Sequence, residues 1–146
     1  MKVPIGLDSN VLVYLVNVTS PYHDICQSAL EALIERGDQP VIPAQVLFEF
    51  WCVATRPAEV NGLGWSVSDA VEAIARFRDE FKVLADPANV LDVWLELVVA
   101  NNLKGKRVHD AHLFATLRAN GVAHLLTLNP GDFPAMQGLI VVSPLS

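Results

Sequence analysis

The chain is poor in the residues that announce several common chemistries. It has two cysteines, Cys26 and Cys52, at a spacing that fits neither a metal pair nor a disulfide framework. They read as buried, reduced thiols of a cytoplasmic protein. Its four histidines, His23, His109, His112 and His124, make no zinc-type ligand spacing. There is no phosphate-binding G-x-x-x-x-G-K-[ST] loop and no G-x-S-x-G nucleophile turn. No apolar run approaches the ~20 residues that span a bilayer. Asp8 and Asn10 interrupt what would be the apolar stretch of a signal peptide, so neither membrane insertion nor export is expected. Positive charge is also scarce: 10 Lys and Arg stand against 16 Asp and Glu, a formal net charge of −6. That argues against sequence-independent coating of nucleic acid, which runs on clustered positive charge. It does not exclude a nuclease, because carboxylates gathered to bind a cation make the bare chain look more acidic than the working site. Repeats, low-complexity segments and long linkers are missing too, and 146 residues suit a single domain over 1–146.

What the chain has in quantity is apolar residues, 52% of the total, with a mean hydropathy of +0.36. That is high for a monomer and leads us to expect a buried partner surface or a homodimer interface. The apolar residues are patterned. Ile5-Gly6-Leu7 reads as a first strand that ends on Asp8. Ser9-Asn10 is a capping pair for a short helix through Val16. Ile25, Ala29, Leu30, Leu33 and Ile34 recur at helical spacing until Gly37. Gln39–Pro43 is a short strand and turn, and a helix runs from about Ala44 to Thr55, closed by Arg56-Pro57. Residues 58–64 read as a surface loop. Helices are expected after Ser66 and Asp86, a strand over Phe81–Leu84, and a helix from about His109 to Ala119. Strands over Ala123–Leu128 and Leu139–Val142 complete the chain. Strands alternate with helices throughout. The pattern predicts an α/β fold with a central, mostly parallel sheet of about four or five strands, flanked by helices on both faces.

Four acids stand out against this frame. Asp8 ends a buried strand, where ligands of open α/β sheets bind, although capping a helix is also ordinary work for Asp. Glu49 shares a helix face with Val46 and Val53. A glutamate there is rare unless it is paired or bound to metal, and a buried salt bridge to Lys106 or Arg107 is the competing reading. Asp110 lies in a first helical turn, which favours negative charge by itself, yet Leu113, Phe114 and Leu117 continue its stripe inward. Asp132 sits in an Asn-Pro-Gly-Asp turn after a strand, where Asp is common. Thr127 and Asn129 offer a hydroxyl and an amide oxygen beside it. Together these oxygens suit hard cations such as Mg²⁺ or Mn²⁺, which could activate a water against a scissile phosphate. Lys104, Lys106 and Arg107, just upstream of Asp110, could meet entering phosphates or form a solvated loop. Trp65, in the glycine-bearing loop, could stack on a base or belong to the core.

The same residues carry a resemblance. Leu7-Asp8-Ser9-Asn10-Val11-Leu12 resembles the opening D-[TSA]-N-[VI]-L signature of PIN domains. Glu49 resembles their second acid. Val108–Thr116 resembles the D-A-x-[IL]-A-A-T segment that carries the third, and Leu126–Phe133 resembles the T-x-N-x-x-D-F ending. The match covers essentially the whole chain in order. Small PIN domains of this kind are similar to the VapC toxins of type II toxin–antitoxin systems. The resemblance implies a Mg²⁺- or Mn²⁺-dependent endoribonuclease, usually a homodimer, inhibited by a cognate antitoxin. It implies that Asp8, Glu49 and Asp110 are the core acids and metal ligands, with Asp132 as the fourth acid. Asn129 stands where many relatives have Asp, so the fourth role stays open between Asn129 and Asp132. Ser9, Asn10 and Thr127 are expected to orient the ligands. Two other readings share these residues: an interaction module with weak catalysis, and a structure-specific DNA nuclease.

Overall fold

A computed structural model describes residues 2–133 and 138–145, apart from the side chain of Asp132. Among these residues, five strands and six α-helices follow in order: β1 (Pro4–Leu7), α1 (Ser9–Val16), α2 (His23–Glu35), β2 (Gln39–Pro43), α3 (Ala44–Thr55), α4 (Val67–Glu80), β3 (Lys82–Leu84), α5 (Val90–Ala100), α6 (Arg107–Ala119), β4 (His124–Leu126) and β5 (Ile140–Val142). The sheet is parallel at every described pairing, in the order β3-β2-β1-β4-β5. Parallel strands need crossover connections, and the helices that provide them cover the sheet.

Local chemistry sets the boundaries. α2 stops at Gly37, which takes a positive φ of 89° that a residue with a Cβ adopts at a cost. α3 starts directly from Pro43, without a side-chain cap. It ends where Arg56, which precedes proline, turns extended (φ −65°, ψ 142°). Ser66 caps α4 by accepting the Asp69 N–H at 3.1 Å. The main core lies between the sheet and α1–α4 and α6, with Leu7, Leu12, Ile42, Phe50 and Leu117 fully buried. A smaller core of Leu97, Phe114 and Ala115 joins α5 to α6. The Trp94 indole N–H also donates to the Val108 carbonyl at 2.8 Å, across the same junction.

Several sequence expectations need correction. α6 begins at Arg107 rather than His109, so Arg107 belongs to the helix. β4 spans three residues, and Thr127 and Leu128 lie beyond it. The segment expected to be a loose loop contains a 3₁₀ turn, Ala58–Val60. It is tied to α3 by backbone bonds from Leu63 to Val53 (3.0 Å), Gly64 to Arg56 (2.9 Å) and Trp65 to Ala54 (2.8 Å). Trp65 is partly buried and packs edge-on against Phe50, so its ring is core rather than a platform. Cys26 is buried, as expected, and burial pushes its thiol up, but Cys52 is exposed.

Candidate active site

β1 is central. The chain builds outward from it through β2 to β3, then crosses to β4 and β5 on its other side. The strand order therefore reverses between β1 and β4, and their carboxyl ends open the crevice where doubly wound sheets take ligands. Leu7 pairs with Leu126 in register. The next residues, Asp8 and Thr127, are thus brought side by side although 119 positions apart.

Asp8 is buried, at 7% exposure. One carboxylate oxygen, Oδ1, accepts the Ser9 backbone N–H at 2.8 Å. The other, Oδ2, accepts the Thr127 hydroxyl at 2.8 Å. Asp8 is itself the cap of α1, so the capping role expected of Ser9 and Asn10 falls to it. Capping and facing the crevice are compatible, because one oxygen serves the helix and the other turns to Thr127. Thr127, fully buried, also accepts from the Asn10 amide at 3.1 Å and from the Asn129 backbone N–H at 3.2 Å. Asn10 closes the ring by accepting the Leu128 N–H at 3.1 Å. Four polar residues from two strand ends thus form one connected network.

Glu49 enters from α3, the helix that follows β2. It is half-buried, and both its oxygens are held. Oε1 accepts from the Gln45 amide, one turn back, at 2.8 Å, and Oε2 accepts from the Ser9 hydroxyl at 3.2 Å. The described ion pairs, Arg36–Asp38 and His112–Asp86, do not include Glu49, so the salt bridge to Lys106 or Arg107 is not formed. Asp110, half-buried in the first turn of α6, faces the same cavity. Gly6 permits its approach: a Cβ there would lie 2.7 Å from Leu117 Cδ2 on α6. With no Cβ at Gly6, the buried Leu117 side chain of α6 lies directly against the strand that carries Asp8.

Asp8, Glu49 and Asp110 line one cavity of about 530 Å³, together with Ser9, Asn10, Gln45 and Asn129. Burial raises the Asp8 carboxyl above its ordinary value. The bonds from Thr127 and Ser9 oppose this, while the charges of Glu49 and Asp110 add to it. Glu49 and Asp110 thus each disfavour ionisation of Asp8. The lining oxygens of carboxylates, amides and hydroxyls suit a hard divalent cation and no soft one. Among the described residues no three acidic, histidine or cysteine side chains stand close enough to cage an ion unaided. A Mg²⁺ or Mn²⁺ ion shared by all three acids would therefore need water between it and at least one of them. Asp132 is reached by the 3₁₀ turn Pro130–Asp132, but its side chain lies outside the described residues.

The sequence singled out Lys104, Lys106 and Arg107, but none of them lines this cavity, whereas Arg56 does. Arg56 follows Glu49 by seven residues and closes the helix that carries it. A second groove, about 720 Å³, shares Gln45, Glu49 and Asp110 with the first and runs past Phe48, His109 and His112. His112 Nε2 there meets Asp86 Oδ2 at 2.8 Å, and Thr116 donates to Asp86 Oδ1 at 2.7 Å. Burial works against ionisation of Asp86, but the Thr116 and His112 contacts outweigh it and hold the carboxyl below its ordinary value.

With this geometry, the sequence pattern of the PIN domain family matches residues 5–139, and the chain belongs to that family. Its relatives include Ribonuclease VapC24 of Mycobacterium tuberculosis, 29% identical over 135 residues and covering 88% of each chain. Ribonuclease VapC48 of the same organism is 26% identical over 141 residues, covering 95% of this chain and 96% of that one. In fold, the chain is similar to the crystal structure of VapBC2 from Rickettsia felis bound to a promoter DNA fragment. The TM-score is 0.71 at 17% identity, over 96% of this chain and 98% of that one. DNA-bound VapBC from Salmonella typhimurium gives a TM-score of 0.68 at 14% identity, over 97% and 98%. At such identities the structural likeness is one of fold.

Proposed function

We propose that this protein is a divalent-metal-dependent endoribonuclease, the toxin of a toxin–antitoxin pair. The observation that carries the reading is the convergence of Asp8, Glu49 and Asp110 on one cavity at the reversal point of the sheet, with Asp8 raised chiefly by burial and further by the charges of the other two. Asp8, Glu49 and Asp110 would hold a Mg²⁺ or Mn²⁺ ion, with Asn129 and Asp132 sharing the fourth role. Such an ion, when bound, supplies the charge that acidifies a water and stabilises the phosphate under attack. The chain's own part is to hold its oxygens still. Thr127 and Ser9 fix the two oxygens of Asp8, and Gln45 and Ser9 fix those of Glu49. Asn10 and Asn129 brace Thr127. Oriented, partly desolvated ligands lose little freedom when they bind.

The partners we assign are an RNA substrate, a cognate antitoxin and a second copy of the chain. Relatives named ribonucleases support the first, and neighbours whose structures are VapBC complexes support the second. Leu91, Leu95 and Val99 support a protein partner on α5. They lie on one helical face and are 64%, 51% and 73% exposed, a stripe that needs covering. No helix among the described residues is long and apolar enough to cross a membrane, and we assign the protein to the cytoplasm.

The test is digestion of single-stranded RNA and, in parallel, single-stranded DNA, with Mn²⁺ or with EDTA. RNA cleavage that needs Mn²⁺ and is abolished by Asp8→Asn and by Asp110→Asn is the expected result. Cleavage that survives either substitution in purified, folded protein overturns the assignment. Preferential cutting of DNA would move it to the DNA nuclease reading.

A further inference from the structure

We infer that Arg56 is the residue that receives the RNA strand in the acidic cavity, contacting a backbone phosphate next to the bond that is cut. The inference rests on the ribonuclease reading above. A polyanion entering a cavity lined by Asp8, Glu49 and Asp110 meets repulsion, and among the described residues the lining contains one cation, Arg56. Arg56 is the residue that closes α3, seven positions after Glu49, and it takes part in neither of the described ion pairs. One arm of its guanidinium, Nη2, donates to the Asn61 carbonyl at 3.2 Å, which leaves the rest of the planar fork for a phosphate.

The backbone around Arg56 is built rather than loose. The Arg56 carbonyl accepts the Gly64 N–H at 2.9 Å, and the Gly62 N–H donates to the Pro57 carbonyl at 3.0 Å. Asn61 adopts a left-handed φ of 63°. A Cβ on Gly62 would lie 1.8 Å from the Arg56 carbonyl oxygen, so the loop closes this tightly only with glycine there. Asn61, Gly62 and Leu63 line the same cavity. The loop thus serves as a mount that keeps one guanidinium at the rim of the acidic site. Lys104, Lys106 and Arg107 have no place in that lining.

The experiment compares wild type, Arg56→Gln and Arg56→Lys in Mn²⁺-dependent cleavage of a single-stranded RNA oligonucleotide. Binding of the same RNA is measured against salt in an Asp8→Asn background. A lost phosphate contact predicts that Arg56→Gln raises KM about tenfold with kcat little changed. The slope of log affinity against log salt should also flatten by about 0.7, and Arg56→Lys should recover most of both. Equal KM and equal slope in wild type and Arg56→Gln, with wild type cleaving, overturns the role of Arg56 and leaves the ribonuclease intact. A fall in kcat with a lower melting midpoint and an unchanged slope also overturns it, since that is what a mere loop brace would give. Wild type that neither binds nor cuts RNA removes the ribonuclease reading, and this inference with it.

Discussion

Thr127→Val tests whether the network beneath the acids is as tightly built as its distances indicate. Valine keeps the shape of threonine and replaces the hydroxyl by a methyl group. Thr127 is fully buried, so the change is felt in full. Three bonds disappear: the donation to Asp8 Oδ2 at 2.8 Å, and the acceptances from Asn10 at 3.1 Å and from Asn129 at 3.2 Å. A bond to a charged group is worth about 1.5–3 kcal/mol and a neutral one about 1 kcal/mol. Asn10 is half-buried and Asn129 is exposed, and water replaces part of their loss. The buried methyl group returns about 0.8 kcal/mol. The expected net loss is about 3 kcal/mol. For a chain of this size that lowers the melting midpoint by about 9 °C at roughly 3 °C per kcal/mol. Thr127→Ser keeps the hydroxyl and loses one methyl group, so it should fall by about 1 kcal/mol. Thermal melts of the three metal-free proteins by circular dichroism decide the matter. A Thr127→Val midpoint within about 2 °C of wild type, or below it by no more than Thr127→Ser, would refute the view that this hydroxyl ties the two strand ends together.

Two further outcomes follow from the same geometry. Gly6→Ala puts a Cβ against Leu117 Cδ2 at 2.7 Å, in a side chain with no exposed surface. It should destabilise by about 1–3 kcal/mol and weaken Mn²⁺ binding as α6 lifts Asp110 away, and unchanged Mn²⁺ calorimetry would contradict the proposed close approach. Stability against pH should carry the signature of Asp8. Its folded carboxyl is raised above the ordinary 3.8, so the metal-free folded state holds a proton that the unfolded chain releases. Its stability therefore falls as pH rises from about 4 toward the raised value and stays lower above it. Asp86, held below 3.8, acts in the opposite sense and at lower pH, where its stabilisation is lost as pH falls. Without metal, the melting difference between wild type and Asp8→Asn should grow less favourable to wild type above about pH 4, and saturating Mn²⁺ should remove the trend. A difference that stays constant from about pH 4 to pH 7 would show that Asp8 is not perturbed.

The chemistry of the site was legible where it was local. An apolar run that ends on Asp8, a glutamate among apolar neighbours at Glu49 and an acid at the head of an inward stripe at Asp110 are features of a few residues each. The alternation of strands and helices, the parallel sheet and its helical cover followed from the same short-range patterns. The resemblance to PIN domains rested on these residues too, and the family match extends over 5–139.

Tertiary structure decided what depends on register and packing. That Asp8 caps α1 with one oxygen and meets Thr127 with the other follows from the pairing of Leu7 with Leu126, which no spacing along the chain encodes. Lys104, Lys106 and Arg107 are near Asp110 in sequence but do not line the cavity, and Lys104 and Lys106 precede the helix that carries Asp110. Arg56 is far from Asp8 and Asp110 in sequence and shares their cavity, because a glycine-closed loop returns against α3. The sequence by itself determined which oxygens were available and on which elements they ride. Only the folded chain determined which of them meet, since side chains meet by strand register and close approaches such as that of Gly6 to Leu117.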